Sequence, residues 1–547
     1  MSADHIQRFS CLACRDKKQR CDRTLPKCSR CTKQGLDCAY PDKRKSATGK
    51  RKQVRDLEAQ LARLEARINS SQPPRYDASP QAESPNIGND SLLPLPGMEW
   101  ETEGQSPLTT ASQQADSIRD TQPSEQVPSP DTIAGDPSMT SEMVNLYFEK
   151  MQHATPMIHR SRYEECLQSP ETKQPPMCLQ YIMCATGAEY GSTCQSAAMA
   201  LYRKARAAAE ADEMDDEGKD AFDVAHVQTW LLMANFEARK GIFSRAAISL
   251  ARSTRVAQML NLYREHKNDD MESIPPRGFG SYQDWITLEE RRRTWWCVYI
   301  SDLLISATSG LPSVLDATPV LASLPASDEA FESGHTEETN TLRRALRDHA
   351  QTFSPLALRV LAASLFYRAT QLSTPKEALD DQSYWDKHQA IENDLNALHS
   401  MIPESLRLPG SIECQQCVFV HVLMQTTLLS LYKSALQRVQ GSNRNDMPYT
   451  ANQCCSRMLD ATSNIIKIFK AMDNVYMALQ NPIQDHAAYM AGLVLLSDLK
   501  SSDDQASRIT DVKFLQGSLQ DAGETQPVAL SLGKQLEEKL ASMGIQG

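Results

Sequence analysis

Apolar residues recur at intervals of three and four positions along most of the chain after Ser141, and this period is typical of α-helices. The stripe made by Val144, Tyr147, Phe148 and Met151 opens the first helix. Further helices are predicted at 226–238, 244–262, 288–306, 355–371, 386–400, 414–440, 451–472, 483–499 and 533–543. The pattern predicts a large all-α domain over residues 141–500 and a polar C-terminal tail over 501–547 with one final helix.

A shorter stretch with apolar residues at the same intervals lies nearer the N-terminus, and charged residues fill the positions between the apolar ones. Its members are Val54, Leu57, Leu61, Leu64 and Ile68. The alternation of +3 and +4 is that of the a and d positions of a coiled coil, so residues 54–70 are predicted to form a short dimerisation helix. The alternative is one amphipathic helix that packs on the rest of the chain, because two heptads are marginal alone.

The region between these two patterns cannot build a core. Residues 71–140 contain 11 Pro, 10 Ser and 11 Asp or Glu against two Lys or Arg. This composition is typical of disordered segments, so we predict a disordered acidic linker.

The distribution of charge separates the two ends of the chain. The net charge is −11 over 547 residues, yet residues 1–56 hold 16 Lys or Arg against 6 Asp or Glu. A basic head on an acidic body favours a module that binds a polyanion. No run reaches the roughly 18 apolar residues of a membrane span, and the first residues are polar, so neither a membrane protein nor an exported one is expected.

Six of the 15 cysteines fall in the basic head, and they form an internal repeat with an offset of 17 residues. They are Cys11, Cys14, Cys21, Cys28, Cys31 and Cys38. A disulfide framework would need an oxidising compartment. One tetrahedral zinc would leave two thiolates without a role. Two zinc ions need eight coordination positions, which six thiolates supply if two sulfurs bridge both metals.

This cysteine pattern, with the basic run after the first pair and Pro26 between the halves, resembles the fungal-type zinc binuclear cluster family of DNA-binding proteins. The resemblance covers residues 8–40 and implies that Cys11 and Cys28 bridge two zinc ions. It also implies two short helices joined by a tight turn at Leu25–Pro26, for which either a trans or a cis peptide bond is expected.

The same resemblance implies that the first half reads double-stranded DNA at CGG triplets. Lys18 is the first choice for a base contact and Lys17 the second, because lysine can donate to the O6 and N7 acceptors of guanine. Phosphate contacts, or simple balancing of the cluster charge, are expected of Arg15, Arg20, Arg23, Lys27 and Lys33. Residues 41–53 form a basic linker whose two Lys/Arg triplets also resemble a nuclear import signal.

The large helical region has a resemblance of its own. The central signature of the fungal transcription-factor regulatory domain, the "middle homology" region, is similar to LEERRRTWWCVYISDLLISATSGLPSVL at 288–315. No phosphate loop, nucleophile elbow or zinc-protease motif is present, so no enzyme is predicted. The run at 291–293 is interpreted as structural ion pairing with Glu289, Glu290 and Asp302, and Trp295 and Trp296 as core.

Together these features predict a mostly α, zinc-dependent transcription factor in the nucleus. It is expected to act as a homodimer with the transcription machinery, with a small-molecule effector as a further partner. Family habit favours control of a secondary-metabolite gene cluster. The alternatives are control of nutrient-utilisation genes, or a non-regulatory interaction protein in which the zinc cluster is purely structural.

Overall fold

The structure, a computed structural model, describes eleven stretches of the chain. They are residues 10–40, 137–170, 174–191, 195–214, 222–264, 284–315, 320–347, 353–373, 381–440, 448–499 and 505–544. The chain divides into two units, Met1–Ser91 and Leu92–Gly547. The described residues form helices and no β-strand longer than an isolated bridge, which confirms the mostly α prediction. None of these helices is long and apolar enough to cross a membrane.

The N-terminal unit is built on two short helices, α1 (Leu12–Asp16) and α2 (Ser29–Gln34). Each begins directly after a buried cysteine, Cys11 or Cys28, whose sulfur caps the helix. The peptide bond between Leu25 and Pro26, in the loop that joins the two helices, is cis. The turn and the two helices therefore lie where the sequence places them.

The second unit contains seventeen α-helices among its described residues. They are α3 (Pro137–Lys150), α4 (Arg160–Leu167), α5 (Met177–Ala188), α6 (Ala198–Met214), α7 (Val224–Arg239), α8 (Phe243–Met259), α9 (Trp285–Ser309), α10 (Asp328–Ser333), α11 (Leu342–Ala345), α12 (Pro355–Ser373), α13 (Asp381–Met401), α14 (Gln415–Gln440), α15 (Ala451–Ala471), α16 (Val475–Ala478), α17 (Pro482–Asp498), α18 (Gln505–Ala522) and α19 (Pro527–Ser542).

Helices α7 and α8, which correspond to the helices predicted at 226–238 and 244–262, form an antiparallel hairpin, and local signals set its ends. Asp223 caps α7 by accepting from the backbone of His226, and the His226 ring bonds back to the Asp223 amide, which makes a capping box. Gly241, with φ +72°, supplies the left-handed turn between the helices. Both helices then pack closely along their length, with Trp230 fully buried on α7.

The helical unit has two hydrophobic cores rather than one. The first lies among α3, α5 to α9 and α12, and the second among α15 and α17 to α19. Helix α14 belongs to both, because Phe419, Leu423 and Leu431 enter the first core whereas Val418 and Leu429 enter the second. The longest helix of the described chain is therefore the common wall of the two cores.

The C-terminal prediction was wrong in one respect. Residues 501–547 were expected to be a polar tail with one helix, but α18 and α19 pack on each other and on α17. Leu515 and Leu519 of α18 and Leu536 and Leu540 of α19 are buried in the second core. The signal was present in the sequence at a helical period, but Ser, Asp and Gln between the apolar positions concealed it.

The N-terminal edge of the helical unit also differs slightly from the prediction. Helix α3 begins at Pro137, four residues before the predicted boundary at Ser141. Proline is favoured in the first turn of a helix because its missing N–H is not needed there. The predicted linker 41–53, the coiled coil 54–70 and most of the predicted acidic linker lie outside the described residues.

Candidate metal centre and nucleic-acid interface

The six N-terminal sulfurs form two groups of four that share two members. One group contains Cys11, Cys14, Cys21 and Cys28, and the other contains Cys11, Cys28, Cys31 and Cys38. All sulfurs of a group lie within 4.8 Å of one another. Two tetrahedra with a common edge require this sharing, so the thiolates are arranged for two metals rather than one.

The separations between sulfurs fit zinc. The Sγ atoms of Cys11 and Cys28 are 3.8 Å apart, and that of Cys11 lies 3.7 Å from Cys31 and 3.8 Å from Cys21. A tetrahedral site with zinc–sulfur bonds of about 2.3 Å places its sulfurs about 3.8 Å apart. The donor set, four soft thiolates around each position, is also the one that zinc prefers.

Backbone amides support the sulfurs from a second layer. The amide of Cys14 donates to the Cys11 sulfur and that of Cys31 to the Cys28 sulfur, each at 3.4 Å. The amide of Cys28 donates to Cys38 at 3.3 Å. Such bonds favour the thiolate over the thiol, and the Cys31 amide lowers the pKa of Cys28.

Burial acts in the opposite direction on other sulfurs. It raises the pKa of Cys11 and raises the pKa of Cys31 to about 12. A cysteine binds zinc as the thiolate and not as the thiol, so loading the site must displace protons from these two residues. The two positive charges of each zinc supply the compensation that a buried thiolate otherwise lacks.

Contacts outside the sulfur cluster tie the two halves together. The Asp22 carboxylate accepts from the Ser29 amide at 3.0 and 3.2 Å, which satisfies the start of α2, and hydrogen bonds from the side chain and the amide of Ser29 lower the pKa of Asp22. The Tyr40 hydroxyl donates to the Thr24 carbonyl at 2.8 Å. The middle of the loop between the helices is therefore tied to the start of α2 and to Tyr40.

The repeat is broken at the C-terminal ends of the two helices. In α1 the amides of Lys18 and Gln19 bond back to Arg15 and Cys14, and Lys18 has φ +47°. Gly35, 17 residues further on, closes α2 with φ +64°. Glycine adopts this left-handed backbone without steric cost, whereas a lysine in it is strained by roughly 1 kcal/mol. Arg23, in the loop between the helices, has a positive φ of +63° as well, so two basic residues of the first half have this backbone conformation.

Every basic side chain predicted to contact DNA is exposed. These side chains are Arg15, Lys17, Lys18, Arg20, Arg23, Lys27 and Lys33. The first four lie on or directly after α1, whereas α2 presents Lys33 with Thr32 and Gln34. Exposed cations beside a rigid short helix can donate to phosphate oxygens and to guanine in the major groove. The predicted dimerisation residues Val54, Leu57, Leu61, Leu64 and Ile68 lie outside the described residues.

The basic run of α9 is structural, as predicted, although its partners are only partly the expected ones. Arg293 is buried and pairs with Glu289 at 3.0 Å and with Asp328 at 2.8 Å. The Asp302 carboxylate instead accepts from the Ser313 hydroxyl at 2.5 Å and from the backbone amides of Val314 and Leu315. Trp295 and Trp296 are fully buried, which confirms that they are core residues.

Sequence spacing gave no sign of a further group of potential metal ligands, Cys178, Asp212 and His226. These residues come from α5, α6 and α7, so only the fold brings them together. Each already has a partner: Cys178 lies 3.5 Å from the Thr229 hydroxyl, and His226 pairs with both Asp223 and Asp212. Burial opposes protonation of the ring, but the two carboxylates hold the pKa of His226 above its usual value. The contacts account for this group as an ion-paired cap of α7.

Comparison with known proteins identifies both units. Residues 9–47 match the "Fungal Zn(2)-Cys(6) binuclear cluster domain", and residues 144–476 match the "Fungal specific transcription factor domain". The second match spans more than half of the chain, which therefore belongs to the fungal specific transcription factor family. The chain is a zinc-dependent, DNA-binding transcription regulator whose cluster domain binds two zinc ions.

Several curated relatives match along nearly the whole chain. A tropolone cluster transcription factor of Talaromyces stipitatus is 26% identical over 84% of this chain and 85% of its own. A citrinin biosynthesis transcriptional activator of Monascus ruber is 24% identical over 85% of this chain and 92% of its own. An azaphilone cluster-specific transcription factor of Aspergillus niger is 27% identical over 77% and 85%.

Proposed function

We propose that this chain is a dimeric nuclear regulator that binds paired CGG-type triplets and controls a secondary-metabolite biosynthetic gene cluster. The observation that carries the proposal is the sharing of Cys11 and Cys28 between two four-sulfur groups, together with the exposed Lys18, four residues after Cys14, whose φ is +47°. A purely structural zinc fold would not need that lysine.

In this proposal Cys11, Cys14, Cys21 and Cys28 hold one zinc, and Cys11, Cys28, Cys31 and Cys38 hold the other. The chain's own residues then do three things. The sulfurs fix the relative position of α1 and α2, the amides of Cys14, Cys28 and Cys31 hold the thiolates, and the end of α1 faces the DNA. The zinc ions supply charge compensation and rigidity, and they take no part in base recognition.

Lys18 is assigned to the guanine edge and Lys17 to a neighbouring base or phosphate. Arg15, Arg20, Arg23, Lys27 and Lys33 are assigned to phosphates, which position the domain without reading sequence. One cluster reads about three base pairs, too few to select a genomic site, so two copies are needed. The segment 54–70 is assigned to that pairing through its apolar seam.

The pathway assignment rests on the relatives. All three named above are described as regulators of a biosynthetic cluster or pathway, and each covers more than three quarters of this chain. We assign the regulator to the nucleus, where its DNA lies, and we assign no catalytic role to the helical unit.

A genome-wide binding map of the tagged, full-length protein tests the proposal. We expect paired CGG triplets upstream of adjacent biosynthetic genes, and a Lys18→Ala variant that loses those sites. Lys33→Ala is the matched control, since it removes the same charge from the other half of the repeat. Sites upstream of dispersed nutrient-utilisation genes would contradict the pathway. Full occupancy by the Lys18→Ala variant would contradict the assignment of base recognition.

A further inference from the structure

The helical unit contains a cavity of about 190 Å³ at the junction of its two cores. Its walls come from α7, α8, α9, α12, α14 and the start of α17, and most of their surface is apolar. For scale, an apolar cavity of about 150 Å³ can hold one benzene ring. The volume suits a compact aromatic molecule of one or two rings.

Four buried polar side chains of this cavity have atoms without a hydrogen-bond partner among the described residues. The atoms are Nε of Arg239 and Arg359 and Oε1 of Gln416 and Gln484. Each of these side chains is at least nine-tenths buried, between 4% and 8% exposed. Unsatisfied buried polar atoms are costly, so four around one cavity indicate a site that a polar ligand completes.

Arg359 determines the charge that this ligand must carry. Among the described residues its guanidinium donates to the backbone carbonyls of His153, at 3.0 Å, and Ala154, at 2.8 Å, and it lies 4.9 Å from the centre of the Phe419 ring. No carboxylate of the described chain pairs with it. Asp328, a carboxylate whose charge acts on Arg359, is already bonded to Arg293.

The surroundings of Arg359 add to this positive charge. Arg239, the other arginine of the cavity wall, shares the single carboxylate of Glu189 with Lys240, so that carboxylate cannot neutralise both cations. The pKa of His153 is lowered to about 4, first by burial and then by the charges of Arg359 and Arg239. An anion entering here would gain a strong interaction because the cation is already desolvated.

We propose that this cavity is a binding site for a hydroxylated aromatic carboxylate that acts as an effector of the regulator. The carboxylate pairs with Arg359, the ring occupies the apolar volume against Phe419, and hydroxyl groups donate to the free amide oxygens of Gln416 and Gln484. The inference goes beyond the proposed function, which names no ligand for the helical unit. Because binding is measured on the purified protein without DNA, its outcome is independent of the test of the proposed function.

The test uses the full-length, zinc-loaded protein and three matched probes. They are 6-hydroxy-2-naphthoate, 2-naphthoate, which lacks the hydroxyl, and 6-hydroxy-2-naphthamide, which lacks the charge. Titration calorimetry should give saturable binding of 6-hydroxy-2-naphthoate, about tenfold or more tighter than the amide, because the amide loses a charge-assisted bond. Absence of saturable binding of 6-hydroxy-2-naphthoate up to about 1 mM, an affinity too weak for a built site, overturns the proposal.

Variants assign the interactions. Arg359→Gln should weaken both carboxylates by about tenfold or more and leave the amide nearly unchanged. Gln484→Leu should weaken the two hydroxylated probes and spare 2-naphthoate. Arg368→Gln is the control, since Arg368 lies on the same helix, α12, but pairs with Asp394 at the surface. Equal losses for Arg359→Gln and Arg368→Gln overturn the proposal.

A fourth variant keeps the test decisive if Arg359→Gln fails to fold. Ala247 lines the cavity on α8 and is only half-buried, so the fold should tolerate a larger residue there. Ala247→Phe should abolish binding of all three probes without lowering the melting temperature. Unchanged binding by a folded Ala247→Phe protein would place the probes elsewhere and overturn the site.

Discussion

The two units of this protein are stabilised by different physics. Among residues 10–40 every buried residue is a cysteine, while Leu12 and Leu25 are each 44% exposed. The helical unit buries two large clusters of aliphatic and aromatic side chains. A segment of about 30 residues cannot bury enough apolar surface to fold, so metal–sulfur bonds replace the hydrophobic core. The first unit should therefore depend on metal and pH, and the second on packing.

Zinc removal tests this difference between the two units most directly, and we expect the largest effect from it. A chelator should unfold residues 10–40, because zinc binding supplies about 10–16 kcal/mol to domains of this kind. DNA binding should be lost while the melting temperature of the helical unit stays unchanged. Elemental analysis of the untreated protein should give two zinc ions per chain. A ratio near one would contradict the shared-thiolate arrangement.

The predicted dimerisation segment 54–70 can be tested by placing a charge in its apolar seam. Leu61→Asp should cost roughly 3–5 kcal/mol of association, because it removes an apolar layer and opposes two like charges across the dimer. Sedimentation of residues 1–75 and binding to one- and two-triplet probes measure the effect. Ala62→Asp is the control, since its position faces away from the seam. If the unmodified fragment is monomeric even on paired sites, residues 54–68 do not dimerise the protein.

The packing of the C-terminal helices predicts a smaller loss, confined to the helical unit. Leu536 on α19 is fully buried and packs against Gly492 of α17. Leu536→Ala should lower the free energy of unfolding by about 2–5 kcal/mol, as is usual for a buried leucine. Leu530→Ala, on the same helix at 37% exposure, should change it by less than about 0.5 kcal/mol. Both variants should keep their zinc, which chemical denaturation and metal analysis will check together.

Substitutions of Lys18 should give the smallest changes in free energy. They are also the most specific test, because the stability of the zinc domain and its affinity for DNA should change in opposite directions. Lys18→Gly should stabilise the zinc domain by about 0.5–1 kcal/mol, since glycine relieves the left-handed backbone. The same change should weaken binding to a CGG site by about 1–3 kcal/mol. Lys18→Ala should show the binding loss without the gain in stability. Lys33→Ala should affect all DNA sequences alike, and identical behaviour of Lys18→Ala and Lys33→Ala would remove the distinction between the halves.

The sequence predicts the two units unequally well, and for a physical reason. Metal ligands such as Cys11 and Cys14 lie close along the chain, so their spacing alone contains the geometry. The α7–α8 hairpin was equally visible, because Gly241 and the apolar periods beside it are local signals. The cavity was not, since Arg239, Arg359, Gln416 and Gln484 come from four different helices. Their polarity has meaning only after packing has buried them, and no period or motif records that.

The position of α14 as the wall between the two cores has a consequence for truncated forms of the protein. A premature stop after residue 440 would remove the partners of Val418, Leu429 and Tyr432 while leaving those residues on a helix that still supports the first core. An apolar face of that size in water favours self-association. We therefore expect such alleles to yield insoluble protein with an intact zinc cluster, so a late nonsense mutation would remove the function of this regulator as fully as an early one.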